Sequence, residues 1–173
     1  MSAGKVTHML RSITLLALAA FLPQTPDVTQ PPAAAHVRFV ADGRGVQVYA
    51  CTVKDNAFAW KFQEPQADLF DPQTHQPLGK HSAGPTWTWN DGSAITGKLL
   101  QTRPSTDPTN IPWLLLEAHS TGTPGALADI TYVRRSDTHG GAAPTSACDA
   151  DHNGVTAKVP YKATYTFYAT TAQ

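Results

Sequence analysis

The stretch Gly79–Gly97, GKHSAGPTWTWNDGSAITG, decides how the chain is read. It holds one histidine, two tryptophans, four glycines and the pair Asp91-Gly92 within 19 residues. Asp-Gly between two runs of alternating residues is a hairpin signal, because both central residues of a type I′ turn need positive φ. A two-residue loop at Asp91-Gly92 pairs Asn90 with Ser93, Trp89 with Ala94 and Trp87 with Thr96. Both indoles then share one face with small or polar partners, while Thr88, Ile95 and Leu99 take the other. Lys98 falls on the indole face in this register, within reach of a cation–π contact or a sugar-stacking surface. Two large rings beside small neighbours form either a core wall or a stacking platform.

Outward from this hairpin, strand-like runs recur and are broken by Gly, Pro, Asn and Asp. Val46–Val53 is short and β-branched, and Phe58–Gln63 sets Phe58, Trp60 and Phe62 against Ala59 and Lys61. Ile111–Glu117 is apolar on both faces and reads as a central strand. Leu127–Arg134 alternates with Ala128, Ile130 and Tyr132 inward. Tyr161–Ala169 sets Tyr161, Ala163, Tyr165 and Phe167 against Lys162, Thr164 and Thr166. No sustained 3.6-residue apolar stripe interrupts the series. The expectation is an all-β single domain, an antiparallel β-barrel or sandwich.

The 173 residues suffice for one core. Lys5 and Arg11, an apolar run Ile13–Leu22 and then Pro23 have the layout of a signal peptide over 1–22. Residues 23–36, rich in Pro and Ala, read as a linker, and the β-rich domain is expected over 37–173. The mature chain is therefore expected to be secreted or periplasmic, with no membrane span after signal cleavage. Without Lys5 and Arg11, 11 basic residues face the 13 acidic ones. That balance excludes the basic stripe a nucleic-acid partner requires. Cys51 and Cys148 in an exported chain imply one disulfide, with a structural staple the plain reading.

An ordered set of motifs carries a resemblance. It comprises Gly-Val-Gln-Val-Tyr-Ala-Cys (45–51), Phe58 and Trp60 with Pro65 and Ala67, Gly79-x-His81, and Ala83-Gly84-Pro85-x-Trp87. Asp91-Gly92-Ser93, Pro112-Trp113-Leu114-Leu115, Gly140-Gly141 with Pro144, Cys148-Asp149 and Val159-Pro160-Tyr161 complete it. The chain resembles a family of secreted bacterial and fungal proteins classed only as a domain of unknown function. The resemblance implies export and a β-rich domain, with no established activity. Some fungal relatives are labelled malate dehydrogenase. No Gly-x-Gly-x-x-Gly joins a strand to a helix here, and Gly43-Arg44-Gly45 runs straight into a β-branched segment.

Several side chains invite chemistry. His81, between glycines and beside the indoles, suits a general base or ligand, or else ties down a turn. Asp91 is its carboxylate candidate, or simply a turn residue. Ser82 lacks the glycine two residues before it that a nucleophile elbow requires, and neither it nor Ser93 is assigned a role. Arg134 to Gly141 is a second polar cluster, in which Arg134 could clamp a carboxylate with help from His139, and Asp137 is a second acid–base partner for His81. Asp149, Asp151 and Asn153 match the opening of a calcium loop, but position 12 is Pro160. Cleavage after Ala35 would leave His36 as an N-terminal copper ligand, with His81 or His139 completing a clasp. No cofactor is otherwise expected.

The leading expectation is non-catalytic binding of a small molecule or glycan at a rim of His81, Trp87, Trp89, Asp91, Arg134 and His139. The alternatives are a hydrolase or isomerase using His81 with Asp91 or Asp137, and a structural cell-envelope protein.

Overall fold

The computed structural model describes residues 26–170 together with Met1, so the expected signal peptide otherwise lies outside the described residues. Eight strands follow in chain order: β1 Ala35–Lys54, β2 Ala57–Phe70, β3 Pro77–Ser82, β4 Thr86–Trp89, β5 Ala94–Arg103, β6 Trp113–Ser120, β7 Tyr132–Gly140 and β8 Thr156–Thr170. Each pairs antiparallel with its neighbours, and β1 pairs with β8, so the sheet closes into an up-and-down barrel. The sandwich alternative is set aside. Closure leaves no sheet edge around the ring, except where neighbouring strands differ in length. The connections β1–β2, β3–β4, β5–β6 and β7–β8 form the upper end, and the other connections the lower.

Alternation supplies the core. Tyr161, Ala163, Tyr165 and Phe167 of β8 all point inward and are buried, as their period of two requires. They meet Trp87, Trp89, Ile95, Leu69 and Val133 in one continuous cluster. Room for the large rings comes from glycines opposite them. A Cβ at Gly97 would stand 2.8 Å from Cζ3 of Trp87, and one at Gly43 would collide with Cε2 of Tyr165.

The β4–β5 hairpin corrects the expected register. Trp87 pairs with Ile95 and Thr88 with Ala94. The loop has three residues, Asn90-Asp91-Gly92, closed by Trp89 N–H to Ser93 O at 2.9 Å and Gly92 N–H to Trp89 O at 3.0 Å. Gly92 sits at φ +85°, the left-handed residue that ends a type I turn in a bulge. The one-residue slip puts Ile95 on the indole face, inside, and turns Lys98 outward. The cation–π contact expected of Lys98 goes with it.

Two other expectations change. Residues 127–131 form a turn under the lower end, where Leu127 and Ile130 plug the barrel. β7 begins at Tyr132, and its inward residues are Val133 and Arg135. The expected linker is partly docked on the outer wall. Arg134 Nη2 donates to Asp27 Oδ2 at 2.7 Å and Arg134 Nε to Thr29 Oγ1 at 3.2 Å, and Thr29 is fully buried. This segment shares a groove with Leu115, the outward residue that made Ile111–Glu117 apolar on both faces. Cys51 and Cys148 form the disulfide, joining β1 to the β7–β8 connection.

Candidate functional site

β3 and β4 are the shortest strands, and their length shapes the site. The last upper pair of β2 with β3 is Ala67–His81, and that of β4 with β5 is Thr86–Thr96. Beyond these pairs β2 and β5 run on with no strand between them, so the wall is notched above the β3–β4 hairpin. A cavity of about 350 Å³ lies there. Phe62 from β2 and Leu99 from β5 stand at its rim, 52% and 54% exposed. Pro65, Pro85, Leu114 and Leu116 extend its apolar wall, and Gln63, His81, Trp87, Arg135 and Tyr165 form its polar part.

The polar part is built on a ring stack. His81 lies on Trp87 with centroids 4.6 Å apart and planes 7° from parallel, and Tyr165 meets both rings edge-on. His81 Nδ1 stands 3.0 Å from Thr86 O. A carbonyl only accepts, so Nδ1 carries the proton and Nε2 is a bare acceptor. Burial chiefly lowers the His81 pKa to about 4; the Arg135 charge adds to the fall, and the Thr86 carbonyl opposes it. The ring is neutral at pH 7. Burial likewise raises the pKa of Tyr165, whose hydroxyl is 3.1 Å from that of Tyr161, so both phenols stay protonated.

Arg135 is buried and inward. Its Nε and Nη2 both donate to Pro112 O, at 3.1 and 2.9 Å. No carboxylate forms an ion pair with it among the described residues. Trp87 Nε1 and Gln47 Nε2 are buried without a hydrogen-bond partner among those residues.

The expected rim is therefore only partly assembled. His81 and Trp87 share the cavity wall, but both are buried, and Trp89 lies deeper in the core. Asp91 sits in the lower β4–β5 loop, away from the cavity. Its Oδ1 accepts from Ser93 N–H and Oγ–H, and Oδ2 from Ala126 N–H, which clamps the 121–131 connection. Asp137 and His139 face outward beside Asp42, Arg44 and Lys162 on a separate surface depression. The structure thus brings neither carboxylate to His81. Arg134 faces the outer wall and holds Asp27, with its guanidinium 5.1 Å above Trp113. Trp113 is an outer-wall residue between Arg103 and Arg134, and Trp60 lies under the upper loop with its N–H on Ser146 O.

The calcium candidates cap a short 3₁₀ turn, Ala150–His152. Asp149 Oδ1 accepts from the N–H groups of Asp151 and His152 and contacts His152 Nδ1 at 2.6 Å. Among the described residues no three His, Cys, Asp or Glu side chains converge as a metal site. His36 lies at the lower end in β1, opposite Ala169.

Fold and site together define a closed eight-stranded antiparallel barrel with an apolar cavity in one notched end. The chain belongs to the family described as "Protein of unknown function (DUF3455)", whose model matches residues 31–169. This agrees with the unassigned family the ordered motifs resemble, and the match begins inside the segment expected to be a linker. No curated protein and no solved structure matches the chain. No helix among the described residues is long and apolar enough to cross a membrane.

Of the cavity residues, only His81 and Trp87 belong to the expected site; Arg135, Tyr165 and the apolar wall from Phe62 to Leu116 do not. The signal for Arg135 was the Val133-x-Arg135 alternation, obscured by running the strand back to Leu127.

Proposed function

We propose that the barrel binds a small, mostly apolar molecule in the notched upper cavity and does not transform it. The observation that carries this is the unfilled space of about 350 Å³ with apolar walls. It lies within the range of small-molecule pockets, and an eight-stranded barrel is just wide enough to be filled by side chains or to hold one small ligand. A purely structural barrel would be expected to fill such space with its own side chains. A glycan would want an open aromatic platform, and Trp87 and Trp89 are buried at 1% and 8% exposure.

Binding without turnover is favoured because the wall holds no acid–base pair among the described residues: no carboxylate shares it with His81, whose Nδ1 proton is held on the Thr86 carbonyl and whose pKa burial lowers to about 4. An extracytoplasmic setting, secreted or periplasmic, fits the disulfide.

Titration with the neutral fluorophore N-phenyl-1-naphthylamine tests the proposal. Saturable one-to-one binding is expected, with loss in Leu114→Trp, whose indole fills the cavity. Non-saturable fluorescence, or binding unchanged in a folded Leu114→Trp protein, would refute it.

A further inference from the structure

We infer, building on the binding function just proposed, that the natural ligand is a monocarboxylic acid with an apolar body, its carboxylate held by Arg135. The cavity wall is mostly apolar, its polar groups are Gln63, His81, Trp87, Tyr165 and Arg135, and of these Arg135 alone carries a full positive charge. Arg135 is 8% exposed, lies on β7 with its side chain among the cavity-lining groups, and has no carboxylate partner among the described residues. An uncompensated buried charge is costly, and proteins normally pair one.

The donors in use show what is left over. The guanidinium has five N–H groups: Nε and Nη2 reach Pro112 O, and the Tyr165 hydroxyl oxygen is the further acceptor beside it, which leaves part of the fork unused. Donors therefore remain for an acceptor that arrives with the ligand, and a planar carboxylate matches the guanidinium fork. One neighbour agrees with an incoming anion: Trp87, on the same wall, carries an indole N–H that is buried without a partner among the described residues.

Charge and size narrow the class. Among the described residues no second cation and no carboxylate lines the cavity, so one negative charge is balanced and two are not. Apart from Gln63, the rest of the lining is apolar, chiefly Phe62, Pro65, Leu99, Leu114 and Leu116, which suit a hydrocarbon or aromatic body rather than a polyol. A low-dielectric wall strengthens the ion pair relative to water.

Calorimetric titration of the full chain at pH 7 with 4-phenylbutyrate and with 4-phenylbutyramide, its neutral isostere, tests the inference. The acid should bind at least about tenfold more tightly than the amide. Arg135→Gln should erase that ratio while leaving amide affinity within about twofold. Equal affinities of acid and amide for the unmodified chain overturn the carboxylate assignment, whether or not the variant folds. So does an acid preference that survives in folded Arg135→Gln. Either result leaves the apolar-cavity function standing if N-phenyl-1-naphthylamine still binds. Failure of all three probes to bind removes both.

Discussion

The imidazole of His81 lies flat on the indole of Trp87, 4.6 Å between centroids, with Nδ1 fixed on the Thr86 carbonyl. Protonating His81 would place a charge in a buried stack next to the Arg135 guanidinium, and burial with that neighbour holds the ring neutral down to about pH 4. Unfolded, the same ring takes up a proton near its ordinary value of 6.5. Between those values the unfolded state binds more protons, so stability is full above pH 6.5 and falls as pH drops toward 4. Urea unfolding at pH 7.5, 6.0 and 4.5 should show a loss on the order of 3 kcal/mol. His81→Gln should flatten that slope, and an unchanged slope in the variant would refute the assignment.

Gly97 lets the Trp87 benzo ring lie against the β5 backbone. The added methyl of Gly97→Ala would meet Cζ3 of Trp87 at 2.8 Å and Cδ2 of Leu116 at 3.0 Å. Both partners belong to the packed wall, so neither yields freely. Overpacking of this kind costs about 1–3 kcal/mol, and a lowered thermal midpoint is the expected reading. Since Leu116 and Trp87 also line the cavity, N-phenyl-1-naphthylamine affinity should fall in the same variant.

Asp27 ties the N-terminal segment to the outer wall. Partial desolvation raises its pKa, but hydrogen bonds from Thr29 and the Arg134 guanidinium outweigh it and hold the carboxyl at about 2. A carboxyl depressed in the fold stabilises it above the unfolded value of 3.8 and loses that contribution as pH falls through about 2. Asp27→Asn should cost about 1 kcal/mol at pH 7, after allowance for solvent screening at the surface. The difference from the unmodified chain should shrink below pH 4 and vanish near pH 2. The same variant should loosen the cover over Leu115, read as faster hydrogen exchange in β6.

Much of this molecule could be read from residue order alone. The inward phase of Tyr161–Phe167, the all-β class and the Cys51–Cys148 staple follow from alternation and from cysteine number, and the barrel obeys them. The failures share one cause: a side-chain period of two turns any one-residue error into the opposite face. Asp91-Gly92 serves a two-residue type I′ loop and a three-residue loop with a left-handed glycine equally well, and only packing of Ile95 against Trp87 selects the second. Extending the β7 alternation back to Leu127 placed Ala128, Ile130 and Tyr132 inside. Continued, that phase turns Arg134 toward the interior. The strand starts at Tyr132 with Val133 inside, so its neighbour Arg135 enters the cavity and Arg134 meets Asp27 outside. Nor does local pattern reveal that β3 and β4 stop short and notch the wall. That depends on strand lengths compared across the closed sheet.

The disulfide should matter to stability more than to binding. Cys51 and Cys148 are 97 residues apart in sequence, a closure worth about 4–5 kcal/mol in the chain-entropy model. In the fold the joined segments are already held by backbone bonds, Cys51 N–H to Val155 O and Gly154 N–H to Cys51 O, both 2.9 Å, and Asp149 caps the turn between them. Neither cysteine lines the cavity. Most of the effect of the bridge therefore lies in the unfolded chain, which it constrains, rather than in the shape of the upper end. Cys51→Ala with Cys148→Ala should lower the urea midpoint by an amount equivalent to about 4 kcal/mol. N-phenyl-1-naphthylamine affinity should stay within about twofold, because the native contacts at the notch persist. If affinity instead collapsed in a variant still folded by circular dichroism, the upper loop would have to shape the cavity from a distance.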